Sequence, residues 1–160
     1  EVRQNGRVTS LKEQLKSDLT VAMKARQEAV TSTLRMVLSA VMNAEVAGDS
    51  AKVLSDEQVL EVLRSELKKR LESAEIYEGA GRAEAALSER AEAAIIEVYL
   101  PAAMADEELG KIVDEEVANA MSSGATGGKA MGVVVKAVRV RVGALADGAK
   151  IAALVKAALS

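Results

Sequence analysis

The sequence predicts an all-α protein built as two small bundles. Three observations predict it. Ala, Glu, Lys, Leu and Arg dominate the composition, which is a helical usage. Apolar residues recur at three- and four-residue spacing in segment after segment. Two of those segments open on a capping box, in which a Ser and a Glu or Gln three residues on satisfy each other's free backbone amides. The 160 residues suffice for one ordinary domain or two small ones. At 49% hydrophobic content there is enough to bury a core, yet the aromatics are only Tyr77 and Tyr99. The core must therefore come from Leu, Val, Ile, Ala and Met.

Residues 1–9 hold Asn5 and Gly6 and no helical period, so they read as a flexible lead-in. The first helix starts at Ser10, with Glu13 completing its box, and carries Leu11, Leu15, Leu19, Ala22 and Met23. The polar run Lys24 to Glu28 breaks the spacing. A second helix resumes with Val30, Leu34, Val37, Leu38, Val41 and Ala44 and ends near Gly48. Ser55 with Gln58 opens the third, whose stripe is Leu60, Leu63, Leu67, Leu71 and Ala74. Gly79 and Gly81 end it. The fourth carries Leu87, Ala91, Ala94, Ile95 and Val98 and stops before Pro101, the one proline. The domain boundary belongs here, dividing 10–99 from 100–160.

The fifth helix starts near Asp106, where Asp106, Glu107 and Glu108 suit its positive end. Its inner face is Leu109, Ile112, Val113 and Val117. Ser122 to Gly128 is a loop. The sixth helix carries Met131, Val134, Val135 and Val138. From Val138 to Val142 apolar residues alternate with Arg, so its last turn could also be extended. Asp147 caps the seventh, whose stripe is Ile151, Leu154, Val155, Ala158 and Leu159.

Composition also bounds function. A net charge of −3 argues against coating nucleic acid by charge alone, though not against a local basic face. There is no Cys and no His, so thiolate chemistry, disulfides and the commonest general base and metal ligand are all absent. No apolar stretch long enough to span a membrane is free of charge, and membrane insertion is not expected. Glu1 in place of Met fits a start trimmed by hand or a presequence removed on import. The compartment would be cytoplasmic in a bacterium, mitochondrial or plastid matrix in the second case.

Four segments, in order and spacing, resemble the YqeY family. They are Thr33-Leu-Arg-Met-Val-Leu-Ser-Ala-Val-Met-Asn-Ala-Glu45, Tyr99-Leu-Pro-Ala-Ala-Met104, the Gly124 to Gly132 stretch around Lys129-Ala-Met-Gly132, and Ala146-Asp-Gly148 before an apolar last helix. The resemblance runs from about Ser10 to Leu159. It implies an N-terminal helical domain and a three-helix C-terminal domain similar to the tail of the tRNA-dependent amidotransferase B subunit. That tail holds tRNA while a mischarged residue is amidated. The resemblance thus implies association with glutamine-dependent carbon–nitrogen ligase activity, tRNA as partner, and possible amidotransferase or other protein subunits. Relatives usually place a basic residue just before Ala-Asp-Gly; here it is Leu145.

The candidate sites follow. From Lys129 onward six cations, Lys129, Lys136, Arg139, Arg141, Lys150 and Lys156, face one acid, Asp147, for a net +5. The fifth helix holds six acids against Lys111. A patch so polarised suits phosphate backbone, or it is simply the solvated side of amphipathic helices. Arg64, Lys68, Lys69 and Arg70 form a second cluster expected on the exposed side of the third helix, within pairing range of Glu61, Glu66 and Glu72. Gly124-Ala-Thr-Gly-Gly-Lys129 lacks both the spacing and the preceding strand of a phosphate loop. Asn43 and Glu45, near the end of the second helix, are either functional or terminal. No spacing assembles a nucleophile, base and oxyanion site, so no catalytic residue, metal or cofactor is expected. The reading is a non-catalytic adaptor that binds tRNA through its C-terminal domain. The alternative is a protein-binding helical subunit of a larger assembly, in an organelle if a presequence was removed.

Overall fold

A computed structural model describes residues 2–4 and 7–160, the side chains of 2–4, 7, 8 and 144 excepted. Seven α-helices follow one another: α1 Leu11–Lys24, α2 Glu28–Val46, α3 Asp56–Gly79, α4 Ala83–Glu97, α5 Asp106–Ser122, α6 Gly127–Val142 and α7 Gly148–Ala158. The all-α class holds, with one correction. Where no strand was expected, β1 Val2–Gln4 pairs antiparallel with β2 Arg7–Thr9, Val2 opposite Thr9. The cue was present in the sequence: an Asn-Gly pair between short β-branched runs is a strong hairpin signal. Asn5 and Gly6 themselves, with Glu1, lie outside the described residues.

The helix boundaries follow local chemistry. Ser10 and Ser55 each accept from the amide three residues on, at 3.2 and 3.3 Å, and Glu13 and Gln58 reach back to their amides at 3.1 and 3.0 Å. α1, α3 and α5 each end in a paired motif in which the residue after the cap turns left-handed. At Gly81 (φ 73°) and Gly124 (φ 83°) this costs little, but at the end of α1 the residue is Arg26 (φ 55°). Arg26 and Gln27 donate to Met23 and Ala22 there. α6 stays helical through Val142, so the alternating Val and Arg residues are two sides of a helix. Asp147 caps α7 by accepting from the Ala149 amide at 3.3 Å.

The chain divides into two compact units, Glu1–Leu100 and Pro101–Ser160. In the first, α2 packs against α1, α3 and α4. Leu15, Leu34, Val37, Leu38, Val41, Leu54, Val59, Leu63 and Ile96 form its core. α3 and α4 make the most extensive pairing, and Ala74 of α3 and Ala86 and Ala93 of α4 are all buried. Arg82, in the turn between them, lies 5.0 Å over the Tyr77 ring. In the second unit α5, α6 and α7 each contact the other two around Leu109, Val113, Val134, Val138, Ile151 and Val155.

Several expected stripe positions are turned outward. Met23 and Leu71 are exposed, and the α1 core position is Ala22. The largest departure is α4, where Leu87, Ala91, Ala94 and Val98 face solvent while Ala86, Ala93 and Ile96 are buried. At 100° per residue the two sets point roughly 140° apart. The helix is set by what α3 offers: a buried alanine, Ala74, and an arginine for Glu92.

Candidate nucleic-acid interface

The six C-terminal cations are sorted by their neighbours. On α6 the buried positions are Ala130, Val134, Val138 and Val142. Lys129 and Lys136 lie on the opposite side, two turns or about 10 Å apart. Arg139 follows a turn later, about 60° round. All three are exposed and hold no ion pair among the described residues. Lys156, exposed in the last turn of α7, likewise has none.

Arg141 and Lys150 belong to a different environment. Arg141 donates to Glu115 at 2.8 Å and to Glu116 at 3.0 Å. The hydrogen bond to Glu115, then that to Glu116, holds its guanidinium still more firmly protonated than usual. Lys150 pairs with Asp106 at the start of α5. Two of the six cations therefore stand in open pairs with the acids of α5, while Lys129, Lys136 and Arg139 share the outward side of α6.

The Arg139 guanidinium rests against the start of α7. A Cβ added to Gly148 would lie 2.3 Å from its Nη2. The glycine of Ala146-Asp147-Gly148 thus leaves room for this side chain, a role sequence spacing could not reveal. Leu145 ends the 3₁₀ turn Gly143–Leu145 just before it, and its carbonyl accepts from the Met104 amide at 2.8 Å.

The second cluster is corrected. Arg70 was expected on the surface and is only 4% exposed. Its Nη1 donates to the Glu66 carboxylate at 2.8 Å and to the Glu66 carbonyl at 3.0 Å, and its Nε to Glu92 at 3.0 Å. Met36 Sδ lies 3.8 Å away. The arginine ties α2, α3 and α4 together, because two carboxylates meet it inside. Burial would raise the Glu66 carboxyl, but hydrogen bonds from Arg70 and then Lys69 outweigh it and hold it low. Lys69 pairs with Glu66 at 3.1 Å, Lys68 is exposed, and Arg64 is half-buried. These four residues do not form one open patch.

The pair near the end of α2 also separates. Asn43 is exposed. Glu45 is buried, holds Lys12 of α1, and accepts from the Leu54 amide at 3.2 Å. The Lys12 hydrogen bond pulls its carboxyl below the usual range, against the opposing effect of burial and with help from Leu54. Glu45 is thus a fastening between α1, α2 and the segment entering α3. Tyr99 makes a similar tie, donating to Asp18 at 2.6 Å. Burial and then that carboxylate raise its phenol above the ordinary tyrosine range.

Among the described residues no group of three or more carboxylates could hold a metal ion, and no helix is long and apolar enough to cross a membrane. A family model described as Yqey-like protein matches residues 12–159. An uncharacterized protein of Schizosaccharomyces pombe is similar, with 34% identity over 95 residues that cover 59% of this chain and 75% of the relative.

Proposed function

The chain belongs to the YqeY family, and from that premise we propose that it is a non-catalytic adaptor that binds tRNA through residues 101–160. The observation that carries this is the outward face of α6, where Lys129, Lys136 and Arg139 stand exposed and unpaired. The resemblance of this unit to the amidotransferase B tail supports tRNA as the ligand and tRNA-dependent amidation or translation as the setting. The likeness of the ligand to the site is one of charge. Phosphates attract the α6 face, and no aromatic side chain stands in residues 101–160 on which a base could stack.

A tRNA titration over a range of salt tests it. Three or four phosphates neutralised by Lys129, Lys136, Arg139 and Lys156 give a slope of log K on log salt of roughly −2 to −4. Arg141 and Lys150 add to it only by exchanging their water-exposed pairs with the acids of α5 for phosphate. Leu145→Arg adds a cation beside Arg139 and the α7 cap and should tighten binding. Absence of binding at low salt would sink the reading in favour of a protein-binding subunit.

A further inference from the structure

α4 is apolar on two sides. One carries Ala86, Ala93 and Ile96 into the core. The other carries Leu87, Ala91, Ala94 and Val98, all exposed, Leu87 at 66% and Val98 at 80%. Their spacing of four, three and four is a coiled-coil seam. It runs about 16 Å along the helix. Glu84 and Pro101 occupy the seam positions before and after it, so the strip is short and bounded.

We infer that this strip of α4 binds the same strip of a second copy, antiparallel, about a two-fold axis between Ala91 and Ala94. In that register Leu87 meets Val98 of the other copy, and Ala91 meets its Ala94. The two alanine layers at the centre let the helices approach closely. Charge selects the orientation. Arg90 and Glu97 flank the strip on one side, seven residues apart, and antiparallel packing sets each Arg90 opposite the other copy's Glu97. Parallel packing would set Arg90 against Ile95 instead. Glu97 has no ion partner among the described residues. Arg90 holds Glu78 at 2.9 Å, but that pair is open to water, 43% and 52% exposed, and exchanges at little cost. The strip spans about three turns of one helix, short of the roughly 1,200 Å² of a stable interface, so association is expected to be weak and concentration-dependent.

Sedimentation equilibrium of the full chain up to about 1 mM tests the inference, with tRNA absent. The wild type should show a concentration-dependent dimer. Leu87→Glu with Val98→Glu, both at exposed positions, should weaken it about a hundredfold or more while the helical circular dichroism is unchanged. Arg90→Glu alone should weaken it, and Arg90→Glu with Glu97→Arg should restore it. Since the chain has no Cys, orientation is read by disulfide formation. Chains carrying Ala91→Cys mixed with chains carrying Ala94→Cys should cross-link faster than either alone. A monomer at every concentration, a dimer indifferent to Leu87→Glu with Val98→Glu, or faster cross-linking of like chains would each overturn it.

Discussion

The two units use charge in opposite ways. In residues 1–100 two charged side chains are taken inside: Arg70 and Glu45 are buried and each joins helices distant in sequence. In residues 101–160 the buried side chains among those described are all apolar, and the charges sit outside, acids on α5 and cations on α6 and α7. The same lysines and arginines that look alike in a sequence thus divide into fastenings and open surface. What divides them is whether a second helix presents a carboxylate at the right place. Glu92 does so for Arg70, Glu115 and Glu116 do so for Arg141, and no described carboxylate does so for Lys136.

The sharpest way to break this contrast is Arg70→Ala. It leaves Glu66 and Glu92 without their shared cation and opens a gap beside Met36. It should cost about 3–5 kcal/mol by denaturant unfolding. Lys136→Ala, at an exposed position, should stay within about 0.5 kcal/mol. Equal losses from the two would erase the distinction.

Acid provides the next test. Glu45 and Glu66 both have carboxyls held below the ordinary glutamate range by their hydrogen bonds. A depressed folded pKa contributes stability that is fully present above the unfolded value. It is lost as pH falls through the folded one. Stability should therefore fall below about pH 4.5, first among amides of α1, α2 and α3 in hydrogen exchange. Glu45→Gln should flatten that pH dependence. Loss that begins instead in α6 and α7 would contradict the placement of buried carboxylates.

A smaller effect is expected at the end of α1. Arg26 adopts φ 55° where Gly81 and Gly124 serve the same turn elsewhere. Arg26→Gly should stabilise the protein by about 0.5–1 kcal/mol, read as a raised unfolding midpoint.

Much of the fold was legible because it rests on local chemistry. Ser10 with Glu13, Ser55 with Gln58, and Asp147 announce helix starts whatever lies nearby. The inner faces of α2, α5 and α7 were largely legible too, since their Leu, Ile and Val residues cluster on the buried side, although Ala158 is turned outward. α4 was misread because it has two apolar sides. Periodicity marks an apolar face without saying which face the rest of the protein will take, and here Ala86 and Ala93 are buried although Leu87 and Val98 are larger. Arg70 was misread for a related reason. Its partner Glu92 stands 22 residues away, on another helix. At the candidate site the cations were visible, but the pairing of Arg141 and Lys150 with α5 depends on how three helices assemble. The space above Gly148 for Arg139 depends on the same assembly.

The central claim is that the outward face of α6 carries the binding charge. It is tested most directly by tRNA binding at fixed low salt with two matched charge reversals. Lys136→Glu with Arg139→Glu removes cations from the α6 face; Lys68→Glu with Lys69→Glu makes the same charge change on α3. The account predicts that the first pair weakens binding tenfold or more, about 1.4 kcal/mol or above. It also makes the salt slope shallower by roughly 1.4–1.8. The second pair should leave both nearly unchanged. Equal weakening by the two pairs, or weakening by the α3 pair alone, would contradict it.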